Sequence, residues 1–159
     1  MKHGELKIDL GCGLNKAEGY LGVDIKEAKG VDIVRDIEKH GLPFCDNSAI
    51  EIRAVSTLEH FTDLIFVMNE CWRVLKPEGV LWGTVPRAGS DAANRDPTHK
   101  RYFVVNSFKY FKKDYTPKFL YGIKPWHPVE VELVDKGVGH IPSVIKFRMY
   151  PYKKWSKEK

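Results

Sequence analysis

Apolar and polar residues change their spacing along the chain, and those changes mark its elements. Lys7-Ile8-Asp9-Leu10 reads as a short strand entering a core, and Gly11-Cys12-Gly13 ends it in a tight turn. Tyr20–Ile25 gives a second strand and Val31–Asp36 a third. Leu42–Ser48 is rich in turn residues. Ile50–Ser56 alternates at first, then becomes apolar, which suits a fourth strand. The clearest helix follows. Leu64, Met68, Cys71, Trp72 and Leu75 recur on one face, with Thr62 or Asp63 as its cap. Lys76-Pro77-Glu78-Gly79 is expected to stop it, and Val80–Val85 is a fifth strand. Val129–Val134 and Val144–Tyr150 both alternate. The segment between them, Asp135–Ser143, is too short for a crossover helix, so the two should pair antiparallel.

This order predicts an α/β fold, a mostly parallel sheet with a C-terminal antiparallel strand pair. The connections are short. Gly11–Tyr20 offers room for one or two helical turns, and Lys26–Gly30 for none, whereas a parallel crossover usually needs about a dozen residues. Helices on one flank should therefore be shortened or missing. The apolar sheet face exposed there would call for a second copy or a partner, and a homodimer or a hetero-complex is expected.

Composition adds limits. A chain of 159 residues with 43% hydrophobic residues supports one packed domain, taken as residues 1–152, with a basic tail over 153–159. No apolar run approaches the ~20 residues of a membrane span. The first residues show no export signal, and Cys12, Cys45 and Cys71 form no CxxC pair. Reduced thiols, a cytoplasmic location and no metal site are expected. Charge is uneven. Residues 1–94 carry 11 Lys and Arg against 15 Asp and Glu; residues 95–159 carry 15 against 6. A basic C-terminal part suits an anionic partner or simply a solvated surface.

The glycine turn after the first strand leaves room for a ligand against bare backbone and directs N–H groups toward it. Asp24, closing the second strand, is placed to accept both hydroxyls of a ribose. Together they describe a nucleoside site at the carboxyl ends of parallel strands, although Gly11 and Gly13 alone would also serve as a structural turn. A dinucleotide fingerprint would need a third glycine where Lys16 stands.

Ile8–Gly13 followed by Gly19–Asp24 resembles the first two motifs of the class I S-adenosylmethionine-dependent methyltransferases, in particular a compact Rossmann-like subgroup. The similarity continues through Asp36, Leu42-Pro43-Phe44, Leu58-Glu59-His60, Trp72–Gly79, Val85-Pro86 and Asp96-Pro97-Thr98-His99. It implies S-adenosylmethionine as cofactor and S-adenosylhomocysteine as product. Asp9 would face the methionine amine. Gly11, Cys12 and Gly13 would pass along the cofactor. Asn15 stands where the family often has a third glycine, and Lys16 would then meet the carboxylate. Asp24 and Ile25 would hold the ribose end, Asp36 and Ile37 the adenine, and Ser56 and Thr57 would lie near the sulfonium.

His60, His99 and Glu59 are the candidates for base or acceptor contact, although each histidine also reads as one held by the fold. Arg101 and Tyr102, after the fifth strand, are candidates for binding the acceptor through a forked ion pair and a stacked ring. The Asp/Asn-Pro-Pro-Tyr/Phe signature of amino-methylating DNA enzymes is absent. A small molecule or anionic conjugate is therefore favoured over nucleic acid as acceptor. Competing readings are a cofactor-binding module without turnover and a nucleic-acid methyltransferase using the basic C-terminal part.

Overall fold

A computed structural model describes residues 5–134 and 143–153. The basic tail from residue 154 on, and residues 135–142 between the last two predicted strands, lie outside the described residues. Seven strands form one sheet: β1 Leu6–Leu10, β2 Leu21–Asp24, β3 Ile33–Val34, β4 Ala49–Val55, β5 Leu75–Pro86, β6 Trp126–Val134 and β7 Val144–Pro151. Their order is β3-β2-β1-β4-β5-β7-β6. The first five are mutually parallel, and β7 runs antiparallel to both β5 and β6. The predicted mixed sheet is thus present.

Helices are few. Helix α1 spans Ile37–His40, α2 Leu64–Val74 and α3 Asp91–Asn94, with 3-10 segments at Leu58–His60, Val105–Phe111 and Thr116–Tyr121. Asp63 caps α2 by accepting from Phe66 N–H, as its place before the apolar stripe predicts. None of the helices among the described residues is long and apolar enough to cross a membrane.

Three local expectations change. The Gly11–Tyr20 connection holds turns and no helix. The third strand shrinks to Ile33–Val34, because Asp32 turns its carboxylate back to Gly22 N–H and Lys16 instead of continuing the strand. Helix α2 stops at Val74, and Leu75 is already extended at ψ 141°. Pro77 disfavours helical geometry in the residue before it, so the chain leaves the helix early and Leu75 starts β5 inside the core.

The sheet is one-sided in its chemistry. Ile8, Ile52, Leu81, Met149 and Val129 lie in register across five strands. They join the cluster that holds Ile37 of α1, Val67, Met68 and Cys71 of α2, and Phe108. One position away in each strand the side chains point the other way. There Asp9, Arg53, Trp82, Arg148 and Glu130 form the matching row. Lys7 pairs with Glu51 at 3.2 Å, and Glu51 also accepts from Tyr20 and from Trp82 Nε1. The flank left short of helices is therefore covered by charge and hydrogen bonds. Among the described residues, that flank is polar and not the apolar face expected from the short connections.

Candidate functional site

Strands β1, β2 and β4 end together around a cleft of about 500 Å3. That volume lies within the ~300–1,000 Å3 usual for small-molecule sites. Among the sequence candidates, Gly11, Asp24, Ile25, Asp36, Ile37, Ser56, Thr57 and His60 line it.

Gly11 and Gly13 have φ of 62° and 50°, a left-handed geometry that glycine adopts at low cost. Their N–H groups are already engaged: Gly11 donates to Val23 O at 2.8 Å, and Gly13 to Asp24 Oδ2 at 2.9 Å. The other oxygen of Asp24 accepts from Lys26 N–H at 3.0 Å. A carboxylate offers about four lone-pair positions, so Asp24 keeps capacity for a diol on its cleft side. Asp36 caps α1 by accepting from Lys39 N–H, which holds it at the cleft wall beside Ile37. Ser56 has a φ of 50°, costly for a residue with a side chain, and sits where β4 breaks off into the cleft. Thr57 donates to Leu10 O at 3.0 Å and ties the ends of β1 and β4 together.

Other candidates stand apart from the cleft lining. Asp9 is fully buried, bound by Arg53 at 2.7 Å and by Ala17 N–H at 2.8 Å. It thereby supports the glycine turn from behind. The Cys12 thiol packs under the turn toward Gly22, and burial pushes its pKa up. Asn15 is exposed, and Lys16 Nζ pairs with Asp32 at 2.8 Å. Arg101 turns its guanidinium to the carbonyls of Phe61 and Thr62, and Tyr102 is exposed. Phe61, Thr98 and Lys100 line the cleft and were not singled out from the sequence. Their neighbours His60, His99 and Arg101 were, so the signal was one residue away.

Beside His60, which lines the cleft, Glu59 and His99 gather. The two imidazole rings meet edge to face with centroids 4.9 Å apart. His99 Nε2 lies 4.0 Å from Glu59 Oε1 and 3.7 Å from Asp96 Oδ2. Glu59 is 1% exposed, and neither of its carboxylate oxygens has a hydrogen-bond partner. Burial dominates its surroundings and raises its pKa to about 7.

The bare backbone at Gly13, where an added Cβ would meet nothing within 4 Å, fits a ligand lying over the turn. The half-buried Asp24 beside it fits an adenosine. Residues 8–83 match the family model described as a methyltransferase domain. The fold is that of the S-adenosylmethionine-dependent methyltransferases, and nearly half of the chain matches the methyltransferase-domain model. Solved structures share its fold. An S-adenosylmethionine-dependent methyltransferase from Archaeoglobus fulgidus superimposes with a TM-score of 0.68 at 17% identity, covering 94% of this chain and 87% of its own. One from Thermotoga maritima gives 0.62 at 16%, covering 93% and 83%. The Haemonchus contortus phosphoethanolamine N-methyltransferase 2, seen with phosphomonomethylethanolamine and S-adenosylhomocysteine, gives 0.56 at 14%, covering 96% and 50%. No curated protein matches the sequence. Most of the cleft lining, from Gly11 to Phe61, falls inside the matched residues.

Proposed function

We propose that this methyltransferase domain moves a methyl group from S-adenosylmethionine to a small anionic acceptor, and that the cleft holds both. The observation that carries this reading is the shared lining. Gly11 and Asp24 line the same cleft as His60, Thr98 and Lys100. Asp24 accepts the ribose hydroxyls, with Ile25, Asp36 and Ile37 against the adenine. Asp9 and Thr57 keep the turn and the strand ends in place. Bound S-adenosylmethionine supplies an electrophilic methyl, so the protein's task is alignment of a nucleophile and exclusion of water. Ser56 and Thr57 line the cleft between strand ends and would lie near the sulfonium.

His60 donates from Nδ1 to Thr98 Oγ1, because the Thr98 hydroxyl proton goes to Asp96 Oδ1 at 2.7 Å. Its Nε2 lone pair is then available to the acceptor. Lys26, Arg35 and Lys100 border the cleft along with Asp24, Asp36 and Glu38; with the two aspartates given to the nucleoside, the cations are left to an anionic acceptor. Arg101 buttresses Lys100 by holding the Phe61–Thr62 backbone. Tyr102 remains available to an acceptor reaching out of the cleft. The free Cys12, Cys45 and Cys71 support a cytoplasmic location.

Incubation with methyl-labelled S-adenosylmethionine tests the reading. Label should enter carboxylated or phosphorylated small molecules and require Lys100. Label entering only RNA or DNA, in a reaction that high salt abolishes, would point instead to the nucleic-acid reading.

A further inference from the structure

A buried carboxylate without hydrogen bonds is costly, and charges removed from water are normally paired or bound to a metal. Glu59 is such a group. Its Oε1 and Oε2 are both unsatisfied, and the His99 Nε2 that faces it stands at 4.0 Å, beyond hydrogen-bond reach. One donor atom from each of Glu59, His60 and His99 lies within 4.8 Å of the others. We propose that Glu59, His60 and His99 bind one divalent transition-metal ion, of the zinc or cobalt class, where His60 borders the cleft.

Hydrogen bonding around the two rings favours this. A histidine that ligates a metal through one nitrogen usually donates its other N–H to a carbonyl, a carboxylate or a water. His99 Nδ1 lies 2.8 Å from Ala93 O, a group that can only accept, so the ring carries its proton there and turns Nε2 toward Glu59. His60 Nδ1 is held at 3.1 Å by Thr98 Oγ1, whose own proton goes to Asp96. Both rings are therefore fixed in the tautomer that leaves Nε2 basic.

The anchoring is also structural. Lys100 and Arg101 both donate backbone N–H to Glu59 O, which pins the His99 segment beside the 3-10 turn bearing Glu59 and His60. Ligand bonds of about 2.1 Å place donor atoms roughly 3.4 Å apart, so modest ring rotation closes the cluster. Two imidazoles and one carboxylate suit zinc, cobalt or iron(II), whereas magnesium and calcium prefer oxygen ligands alone. Three protein ligands leave a coordination position open, and His60 borders the cleft where the acceptor lies. This inference deepens the proposed function: the His60 lone pair goes to the ion, and an acceptor oxygen can take the open position.

Cobalt(II) titration of the tag-free, chelator-stripped chain tests it, because a low-coordinate cobalt–imidazole site absorbs visibly. The expected result is one equivalent bound, with the absorption lost on adding zinc. His60→Gln, His99→Gln and Glu59→Gln should each weaken binding at least tenfold. Exposed His40→Gln should leave it unchanged. Thr98→Val, which frees the His60 ring, should weaken it about 10- to 100-fold without changing the stoichiometry. No stoichiometric uptake by the unmodified chain overturns the site, as does uptake that survives the His60→Gln/His99→Gln double substitution. Uptake by the unmodified chain decides the question if a variant fails to fold. S-adenosylhomocysteine binding to the stripped protein is read separately. Retained nucleoside binding without cobalt uptake rejects the metal and keeps the cofactor cleft; the converse rejects only the cleft assignment.

Discussion

Gly11 and Gly13 adopt the same left-handed backbone and meet different surroundings. A Cβ on Gly11 would lie 2.3 Å from Thr57 Cγ2, while one on Gly13 would meet nothing within 4 Å. Left-handed geometry alone costs a non-glycine residue about 1–2 kcal/mol. Gly13→Ala should lower the melting temperature by only a few degrees. Gly11→Ala should lower it clearly further, because Thr57 must also move and its bond to Leu10 O is disturbed. Thermal unfolding checks the difference; equal losses would mean that Thr57 does not pack against the turn. Cofactor affinity should fall in both, in Gly13→Ala mainly because the added methyl intrudes into the space above the turn.

Several of these residue-level features were legible in sequence. A Gly-x-Gly turn after a buried strand and an acid at the end of the next have few other uses in combination. The partner of Lys16 was not legible. Spacing shows that an ammonium is near the turn but not that Asp32, sixteen positions on, captures it. The solitude of Glu59 was equally hidden. A pattern shows which residue types are adjacent in sequence, while an unsatisfied carboxylate is a fact about every atom around it.

At the scale of elements, the pairing of β1 with β4 carries an ion pair that matters for the site. Asp9 is 1% and Arg53 19% exposed in their side chains, and they meet at 2.7 Å. Removing one partner of a buried pair typically costs ~3–5 kcal/mol, because the other charge stays desolvated. Arg53→Ala should approach the lower end of that range, since Ala17 N–H still serves Asp9. The uncharged pair Asp9→Asn with Arg53→Met should be more stable than the single variant. Denaturant unfolding of the set checks this. A single variant as stable as the parent would show that Asp9 finds water or another cation.

The helix α2 was readable from its apolar stripe and its Asp63 cap. Its end was not, because Pro77 acts on the residues before it and hands Leu75 to β5. The third strand failed for a related reason: the apolar Val31-Asp32-Ile33-Val34 run fits a strand, but Asp32 is claimed by Gly22 N–H.

For the whole molecule, the decisive property is that one sheet face is a core and the other a charged surface. Short connections at Gly11–Tyr20 and Lys26–Gly30 correctly implied missing helices. The inference that apolar surface would remain did not follow. Alternation in β4, with Glu51 and Arg53 facing away from Ile50 and Ile52, already contained the alternative. Because the bare flank is salt-bridged, light scattering at physiological salt should show no dimer built on it, and Trp82→Lys should leave the mass unchanged. A salt-resistant dimer abolished by Trp82→Lys would contradict this.

The central claim is that a carboxylate beside a bare backbone turn grips the nucleoside of the cofactor. Calorimetric titration with S-adenosylhomocysteine tests it most directly, on the parent chain and on Asp24→Ala. The account predicts 1:1 binding by the parent and at least a hundredfold loss in the variant, a difference of about 2.7 kcal/mol. Equal affinity in the two proteins, with both folded, would contradict it.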